Sequence, residues 1–476
     1  MVVIDYQKNV EIKYKADVIV VGGGLAGCSA AIAAARKGCD VLLIEQSGVL
    51  GGMATLGHVS PLDATKTRSG KSFGGIMEEV INEICRLNKK YGDADADLRQ
   101  APELLKIILI KLMNEAGVKL LLHTTLTDVI RTSDSITKLI LTTKAGLEGA
   151  QGKIFIDATG DGDLIARADE EYVLGSEPNV FDELVATGLD EVHFEEKNGS
   201  YKGYEQSGLM QPVSMMFTMG GADVNKCRHL CNKKLTFADL GIDSEEFKKL
   251  DYFGTNGFEE NGDLIPMPQG RLHIVCAARR DQALVNMSRV INVDATDPVA
   301  LSKAEEIAQV QMLYLVDFII RFVPGFENAY LINSSSTLGV RETRRLVGKY
   351  VLKGREAIEC VPFEDTVAHG SYMIDIHDPS GRQKAVGGEL KGDCYYIPYR
   401  CLLPKNTNNL LVCGRCISVD HVAHASTRIQ GTCMLTGQAV GTAASLALKS
   451  SVSPNTVKIK ELRQELIDDG VYLLDI

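Results

Sequence analysis

The chain of 476 residues has no long apolar run, no basic stripe and few cysteines for its length. Each absence excludes something. The most apolar stretch of the second half, 311–323, carries Asp317 and Arg321. That falls short of the roughly 20 apolar residues a bilayer helix requires, so no membrane span is expected. The net charge of -11, with no basic stripe to offset it, speaks against nucleic acid and anionic membrane surfaces as partners. Twelve cysteines are too sparse for a disulfide scaffold, and buried thiols are the expectation. Cys413 and Cys416 have C-x-x-C spacing, but Gly414 and Arg415 between them suit a cofactor loop better than a redox dithiol. No apolar signal core opens the sequence, so a cytoplasmic location is expected. There is no internal repeat and no low-complexity segment.

The remainder is ordinary globular protein: 45% hydrophobic and 24% charged residues exclude a disordered or fibrous chain. Single cores stop growing near about 250–300 residues, so at least two lobes are expected. The run Ala16–Val21 (ADVIVV) ends in three glycines, as a fully buried parallel strand does. A small-residue helix over Leu25–Lys37 follows, closed by Gly38, and Val41–Ile44 gives the next strand. Helical periodicity over Met77–Lys89 and Pro102–Ala116 leads into a strand at Val118–Leu122. Threonine-rich alternation between Thr124 and Ile156 predicts an antiparallel meander that returns to a core strand at Ile154–Ala158. From about Glu171 the composition turns to mixed loops, amphipathic helices and strand-like pieces such as Val213–Met219. The earlier character returns with a strand at Asn409–Cys413 and a Gly/Ala-rich helix over Gly431–Leu448. The predicted architecture is α/β: a discontinuous Rossmann-like dinucleotide-binding domain, residues 1–170 and 393–476, with an inserted mixed α+β substrate or cap domain, residues 171–392.

Gly22, Gly24 and Gly27 spell G-x-G-x-x-G after a strand and at the opening of a helix. There the backbone, with Leu25 and Ala26 as the first helical residues, can approach a pyrophosphate at the positive helix end. Glu45, at the end of the next strand and followed by Gln46, is placed to accept from adenosine ribose hydroxyls, which disfavours NADP. A glycine-rich loop, QSGVLGGMAT (46–55), and a later ATGDGD (158–163) decide between NAD and FAD. With these segments, LGVRETRR (338–345) and CGRCISVDHVAHASTRIQGTCMLTGQAVGTAA (413–444), the chain resembles the FAD-dependent oxidoreductase family of glutathione-reductase-like flavoproteins. The resemblance covers most of the chain and only loosely the lobe from Glu171 to about Ser336. It implies FAD as the cofactor and names no substrate. It places Gly51, Gly52 and Met53 near the flavin, Val129 at the adenine through its backbone, and Ala158, Thr159, Gly160 and Asp161 along the diphosphate side. It puts Gly414 and Arg415 beside the ribityl chain. Gly431 and Thr432 start a helix aimed at the flavin N1–C2=O edge, where the macrodipole favours the anionic reduced ring; close helix packing is the plainer account of the same glycines.

A flavin enzyme also needs a group that moves a proton while N5 exchanges a hydride, and cations to orient the substrate. His58, just after the Gly-Gly loop, is either that proton-transfer group or a packing histidine. Arg341, Arg344 and Arg345 are expected at the start of a helix with Arg341 on one face with the others, clamping substrate or forming a structural ion network with Glu342. His424 and Arg428, four residues apart, are expected to align on a helical turn at the flavin face. No histidine set has metal-ligand spacing, so no metal is expected. The reading is an FAD-dependent dehydrogenase or reductase acting on a small, polar, oxygenated metabolite. There is no second G-x-G-x-x-G, so electrons exchange with oxygen, a quinone or a partner protein. The alternatives are a redox-neutral flavoenzyme and a non-catalytic flavoprotein subunit. Homo-oligomerisation through the helix near Ser302–Val323 and internal packing of that helix are equally compatible with its apolar residues.

Overall fold

The computed structural model describes residues 4–59, 62–91, 101–178, 208–244, 247, 264–277, 279–377, 379 and 386–474. The chain opens with β1 (Ile12–Lys15) and β2 (Val18–Val21), turns into α1 (Leu25–Arg36) and returns as β3 (Val41–Ile44). Helices α2 (Gly75–Tyr91) and α3 (Pro102–Ala116) precede β4 (Lys119–Leu121). The meander β5 (Thr125–Thr132), β6 (Ser135–Thr143) and β7 (Gly146–Gln151) follows, and β8 (Ile154–Asp157) re-enters the core.

The central sheet is parallel, in the order Leu410–Val412, β8, β2, β3, β4. Both faces of β2, β3 and β8 are buried, which is why their sequences are unbroken apolar runs rather than alternating ones. The chain crosses from β2 to β3 on one side and from β2 to β8 on the other. The carboxyl end of β2 is therefore the switch point at which open α/β sheets bind ligands. The expected FAD lobe is thus discontinuous: the strand Leu410–Val412 and the helix Gln430–Ser450 complete it from the far end of the chain.

A second, antiparallel sheet runs Ile274–Cys276, Gln282–Val285, Phe217–Gly220, Tyr330–Ser334. The helix Pro298–Phe322, capped by Asp297 through the Val299 N–H, packs Leu315, Phe318 and Ile319 onto a core with Phe217, Met219 and Phe326. Residues Leu346, Leu352, Val367, Ala368 and Tyr395 join the core of the first lobe instead.

The expected helix at Arg341–Arg345 is not there. Arg344–Leu346 is a short strand paired antiparallel with Tyr172–Leu174. The i, i+3, i+4 spacing predicts one helical face, but Arg341, Arg344 and Arg345 reach separate partners, Ser214, Asp163 and Glu177. Long-range pairing has overridden local helix propensity.

The strand Thr366–Gly370 holds the fully buried His369. Its Nε2 accepts the Leu474 N–H at 3.2 Å, its Nδ1 lies 3.2 Å from the Tyr395 carbonyl oxygen, and its ring stacks on Phe73. Burial, aided by the charge of Arg463 and opposed by the Tyr395 carbonyl, brings its pKa down to about 4. The neutral ring stabilises the fold above the ordinary value near 6.5, and that contribution is lost as pH falls from 6.5 through 4. The gap between the two values corresponds to about 3 kcal/mol. Urea unfolding at pH 7 and pH 4 should show an acid loss that His369→Gln reduces by about that amount; an equal pH slope in both proteins would refute the assignment.

Candidate active site

The turn from β2 to α1 leaves no room for side chains on its protein side. Gly22 has φ +102°, and a Cβ there would lie 2.4 Å from the Ala158 carbonyl oxygen; one on Gly27 would lie 1.9 Å from that of Gly22. Gly24 differs. Its φ of -66° suits any residue, and a Cβ would meet nothing within 4 Å, so a side chain here would stand in open space at the positive end of α1. Leu25 and Ala26, its next neighbours, are buried on the helix. The Gly-Gly loop folds back over this turn: Gly51 N–H donates to the Gly23 carbonyl at 2.8 Å, and Gly52–Ala54 winds one tight turn carrying Met53. Glu45 is buried at the end of β3, where it accepts from the Gly23 and Ser47 N–H groups, each at 2.7 Å, while Gln46 is exposed.

From the other side of β2, Asp157 ends β8. Its carboxylate accepts from Thr159 N (3.0 Å), Thr159 Oγ1 (2.7 Å) and Ile165 N (2.9 Å), fixing the turn through Ala158, Thr159 and Gly160. Burial outweighs these bonds and pushes its pKa up to about 6. Arg415, next to Gly414 beyond the strand Leu410–Val412, pairs with Asp161, whose carboxylate also accepts from Thr343 Oγ1 at 2.8 Å. Val129 lies on β5, the edge of the meander, with its N–H on the carboxylate of Asp128. Cys413 and Cys416 are fully buried, and burial raises both thiols well above their ordinary range.

The helix His421–Thr427 and the start of the helix Gln430–Ser450, with Gly431 and Thr432 in its first turn, close the site. His424 and Arg428 are one turn apart as expected, the Arg428 N–H donating to the His424 carbonyl at 3.1 Å. Both ring nitrogens of the fully buried His424, Thr427 Oγ1, Arg428 Nε and Gln430 Oε1 are buried with no hydrogen-bond partner. Burial holds His424 well below its ordinary pKa, with Arg345, Arg428 and Arg415 adding to the effect and Glu342 opposing it, so its ring is neutral. Such a concentration of unsatisfied polar atoms is what a site built around a polar ligand leaves behind. At the α1 terminus the open space beside Gly24 and the acid at Glu45 complete a chemistry compatible with a dinucleotide.

His58 is nearly fully buried, at φ +52°, with Nδ1 unpartnered. Its pKa is lowered by burial and then by Lys106, against Glu103, both on α3. Arg341 donates from Nη1 to the Pro212 carbonyl and, at 2.8 Å, to Ser214 Oγ. Arg344 reaches the Asp161 carbonyl and Asp163, each at 3.1 Å. Arg345 is fully buried between Glu342 and Glu177. Glu342 also accepts from His421 Nδ1 at 2.8 Å; although burial favours the neutral acid, His421 and Arg345 hold it well below the carboxylate range.

Absent from the sequence reading are Gln211, Arg271, His273, Asp375 and His377, which gather around Arg428 and Arg341. Only Asp375 and His377 left a signal: spaced i, i+2 at the strand Ile374–Ile376, they share one face, with His377 Nε2 3.3 Å from Asp375 Oδ2. Among the described residues, no group of three or more His, Cys, Asp or Glu could hold a metal ion.

The sequence profile described as "FAD dependent oxidoreductase" matches residues 17–466. Among curated proteins, the chain is 37% identical over 94 residues to the tRNA uridine 5-carboxymethylaminomethyl modification enzyme MnmG of Geobacter sulfurreducens, 17% of this chain and 14% of that one. It is 30% identical over 190 residues to the enzyme of the same name from Streptococcus thermophilus, 38% of this chain and 29% of that one. The matches thus span well under a third of these relatives' length. Among solved structures, a myxobacterial chondrochloren halogenase described as a variant of FAD-dependent halogenases aligns with 96% of this chain and 80% of its own at 12% identity and a TM-score of 0.45.

Removing one partner of a buried ion pair leaves the other charge uncompensated, at a cost of about 3–5 kcal/mol. Glu342→Gln should lower the urea-unfolding free energy at pH 7 by that amount. A loss under about 1 kcal/mol would mean that Glu177 alone satisfies Arg345.

Proposed function

The chain belongs to the FAD dependent oxidoreductase family, and from that premise we propose that this enzyme moves a hydride between the flavin N5 and a small, polar, oxygenated metabolite. FAD is the cofactor; when bound, it supplies the hydride acceptor or donor. Everything else falls to side chains of this chain. The observation that carries the reading is His424: neutral, fully buried and unpartnered at both ring nitrogens, one turn from Arg428, where the carboxyl end of the sheet meets the second lobe. A neutral imidazole held this way can take a proton from a substrate hydroxyl or return one to a carbanion-like carbon. Arg341 and Arg428 orient the substrate's polar groups, and His58 is the second candidate for proton transfer.

The backbone amide of Gly24 and the carboxylate of Glu45 would hold the pyrophosphate and the adenosine ribose. Gly51, Gly52, Met53, Arg415, Gly431 and Thr432 would line the isoalloxazine and ribityl portion, and Val129 the adenine. The first lobe, with the inserted segment as its cap, would therefore divide cofactor from substrate. Electrons would pass on to oxygen, a quinone or a partner protein. The names of the MnmG relatives concern tRNA, but a net charge of -11 with no basic stripe is a poor match to a polyanion, so a small molecule in the cytoplasm is the better reading.

Two outcomes follow. Gly24→Val puts its Cβ into open space at an ordinary φ but replaces the N-cap glycine of α1, so it should cost no more than about 1 kcal/mol of stability. It should also weaken FAD retention, read from flavin absorbance after gel filtration, by at least about tenfold; full retention would mean that the cofactor does not lie against this amide. In anaerobic titrations of the holoenzyme with hydroxy acids, polyols, sugars and enoates, one class should change the flavin redox state. With that class, His424→Gln should slow the half-reaction by about 10²–10⁴-fold while FAD stays bound. An unchanged half-reaction would transfer the proton-moving role to His58.

A further inference from the structure

The second lobe carries a pair of thiols that the flavin chemistry does not use. Cys227 ends the short helix Val224–Cys227, and Cys231 lies four residues on, in the turn that follows. Their Sγ atoms stand 4.0 Å apart. Residues four apart on a helical turn are neighbours, so the spacing brings the two side chains together. The surroundings then hold them there. Asp223 caps the helix through the Asn225 N–H at 3.2 Å, and its own N–H donates to the Gly325 carbonyl at 2.9 Å. At the other end the Asn232 N–H donates to the Leu272 carbonyl at 2.6 Å, and the Leu272 N–H to the Lys233 carbonyl at 3.2 Å. Asn232 takes φ +64°, which ends the turn, and its Oδ1 lies 2.7 Å from His273 Nδ1.

The two thiols are not alike. Cys227 is fully buried, in one core with Leu230, Ile274 and Phe318. Cys231 is partly exposed, and Arg228, His229, Lys233 and Lys234 on either side of it in sequence are exposed. Acidity follows exposure. The Cys227 thiol, then the Ile274 N–H and the charge of Arg228, hold Cys231 below the ordinary thiol range against the effect of burial. The bond to Cys231 and burial raise Cys227 above that range. One sulfur is thus a thiolate at an accessible position, and the other is a buried thiol in contact with it. An attacking and a resolving thiol require that division. Cys413 and Cys416, despite their C-x-x-C spacing, lack it, since both are fully buried and both are raised. Cys276, partly exposed on the strand Ile274–Cys276, acts on Cys227 and is the competing partner.

We propose that Cys231 and Cys227 form a dithiol site that exchanges with the disulfide of a low-molecular-weight thiol and closes reversibly into a disulfide within the second lobe. The Cys231 thiolate attacks one sulfur of the small disulfide, whose S–S bond breaks and releases one small thiolate. Cys227 Sγ then attacks Cys231 Sγ in the mixed disulfide, and the second small thiol departs with the Cys227 proton. The two protein thiols lose two electrons and two protons, and the small disulfide gains both as two thiols. The sulfurs close from 4.0 Å to a bond of about 2.05 Å. That movement falls on the turn between Cys227 and Asn232, next to the residue that holds His273. The step involves neither the flavin nor the proposed hydride transfer.

The test uses the FAD holoenzyme, reduced with dithiothreitol, freed of it and incubated with oxidised glutathione at neutral pH. The intact chain should lose two hydrogens in mass and retain no glutathione, and peptide mapping after alkylation should show residues 227–228 joined to residues 229–233. Dithiothreitol should restore both thiols. Cys227→Ser should stop the reaction at a glutathione adduct on Cys231, and Cys231→Ser should slow oxidation of Cys227 at least about tenfold. Cys276→Ser should change neither. If a serine variant fails to fold, iodoacetamide on the unmodified native chain gives an independent reading: Cys231 should be alkylated at least about tenfold faster than Cys227 or Cys276. Equal alkylation rates, a disulfide from either residue to Cys276, or a glutathione adduct on Cys231 that Cys227 never resolves would overturn the proposal. So would resistance of both thiols to oxidised glutathione.

Discussion

The structure turns on the contact between two helices that are far apart in sequence. A Cβ at Gly437 would sit 2.1 Å from the Ala26 carbonyl oxygen, and one at Gly441 2.2 Å from that of Ala30. The helix Gln430–Ser450 therefore touches the backbone of α1 along two turns, a distance only glycine allows. This contact carries the start of the C-terminal helix to the same switch point that β2 and α1 define. With the strand Leu410–Val412 in the sheet and the Gly431 N–H on the Asp63 carbonyl, it fixes residues 424–432 relative to the Gly22–Gly27 turn. The alanines of α1 and the glycines of the later helix, which look like generic small-residue composition, are two halves of one surface.

How legible this was depends on the range of the determining interaction. Where burial on both faces writes an unbroken apolar run, as at Val18–Val21, Val41–Ile44 and Leu410–Val412, the strands fell within a residue or two of their expected bounds. Helices with strong periodicity and clear ends, such as Pro102–Ala116, behaved the same way. The glycine fingerprint was readable because its chemistry is local. The arginines at 341–345 were misread as helical because what fixes them, the antiparallel partner at Tyr172–Leu174, lies about 170 residues away in sequence. Gln211 and Arg271 left no periodic trace at all, since side chains brought together from separate segments have no sequence pattern.

Two kinds of buried polar group meet at this junction, and their difference in satisfaction separates scaffold from site. Glu342, Arg345, Glu177 and the Nδ1 and backbone N–H of His421 form a network in which both carboxylates meet donors. Such a network holds the helix His421–Thr427 against Arg344–Leu346 and gains nothing from a ligand. Asp420 belongs with it: it caps that helix through the Ala423 N–H at 2.8 Å and ties in Gly354 N–H at 3.0 Å. One turn further along, His424, Thr427 and Arg428 keep atoms that are out of water and out of partners.

An unsatisfied buried polar atom costs about 1–3 kcal/mol, and several in one turn is a burden the fold carries only if something recovers it. The satisfied network is what makes that burden bearable, since it fixes the backbone on which the unsatisfied atoms stand and prevents them from rotating to find partners among themselves. A ligand that completes them therefore binds to groups already held in place, and loses little affinity to ordering them. The Glu342 carboxylate is already engaged by Arg345 and His421, and Arg341 donates instead to the Pro212 carbonyl and Ser214 Oγ. The apparent redundancy of three arginines within five residues resolves into a division of tasks: Arg345 neutralises the scaffold acid, Arg344 braces the Asp161 turn beside Arg415, and Arg341 holds the Pro212–Ser214 segment.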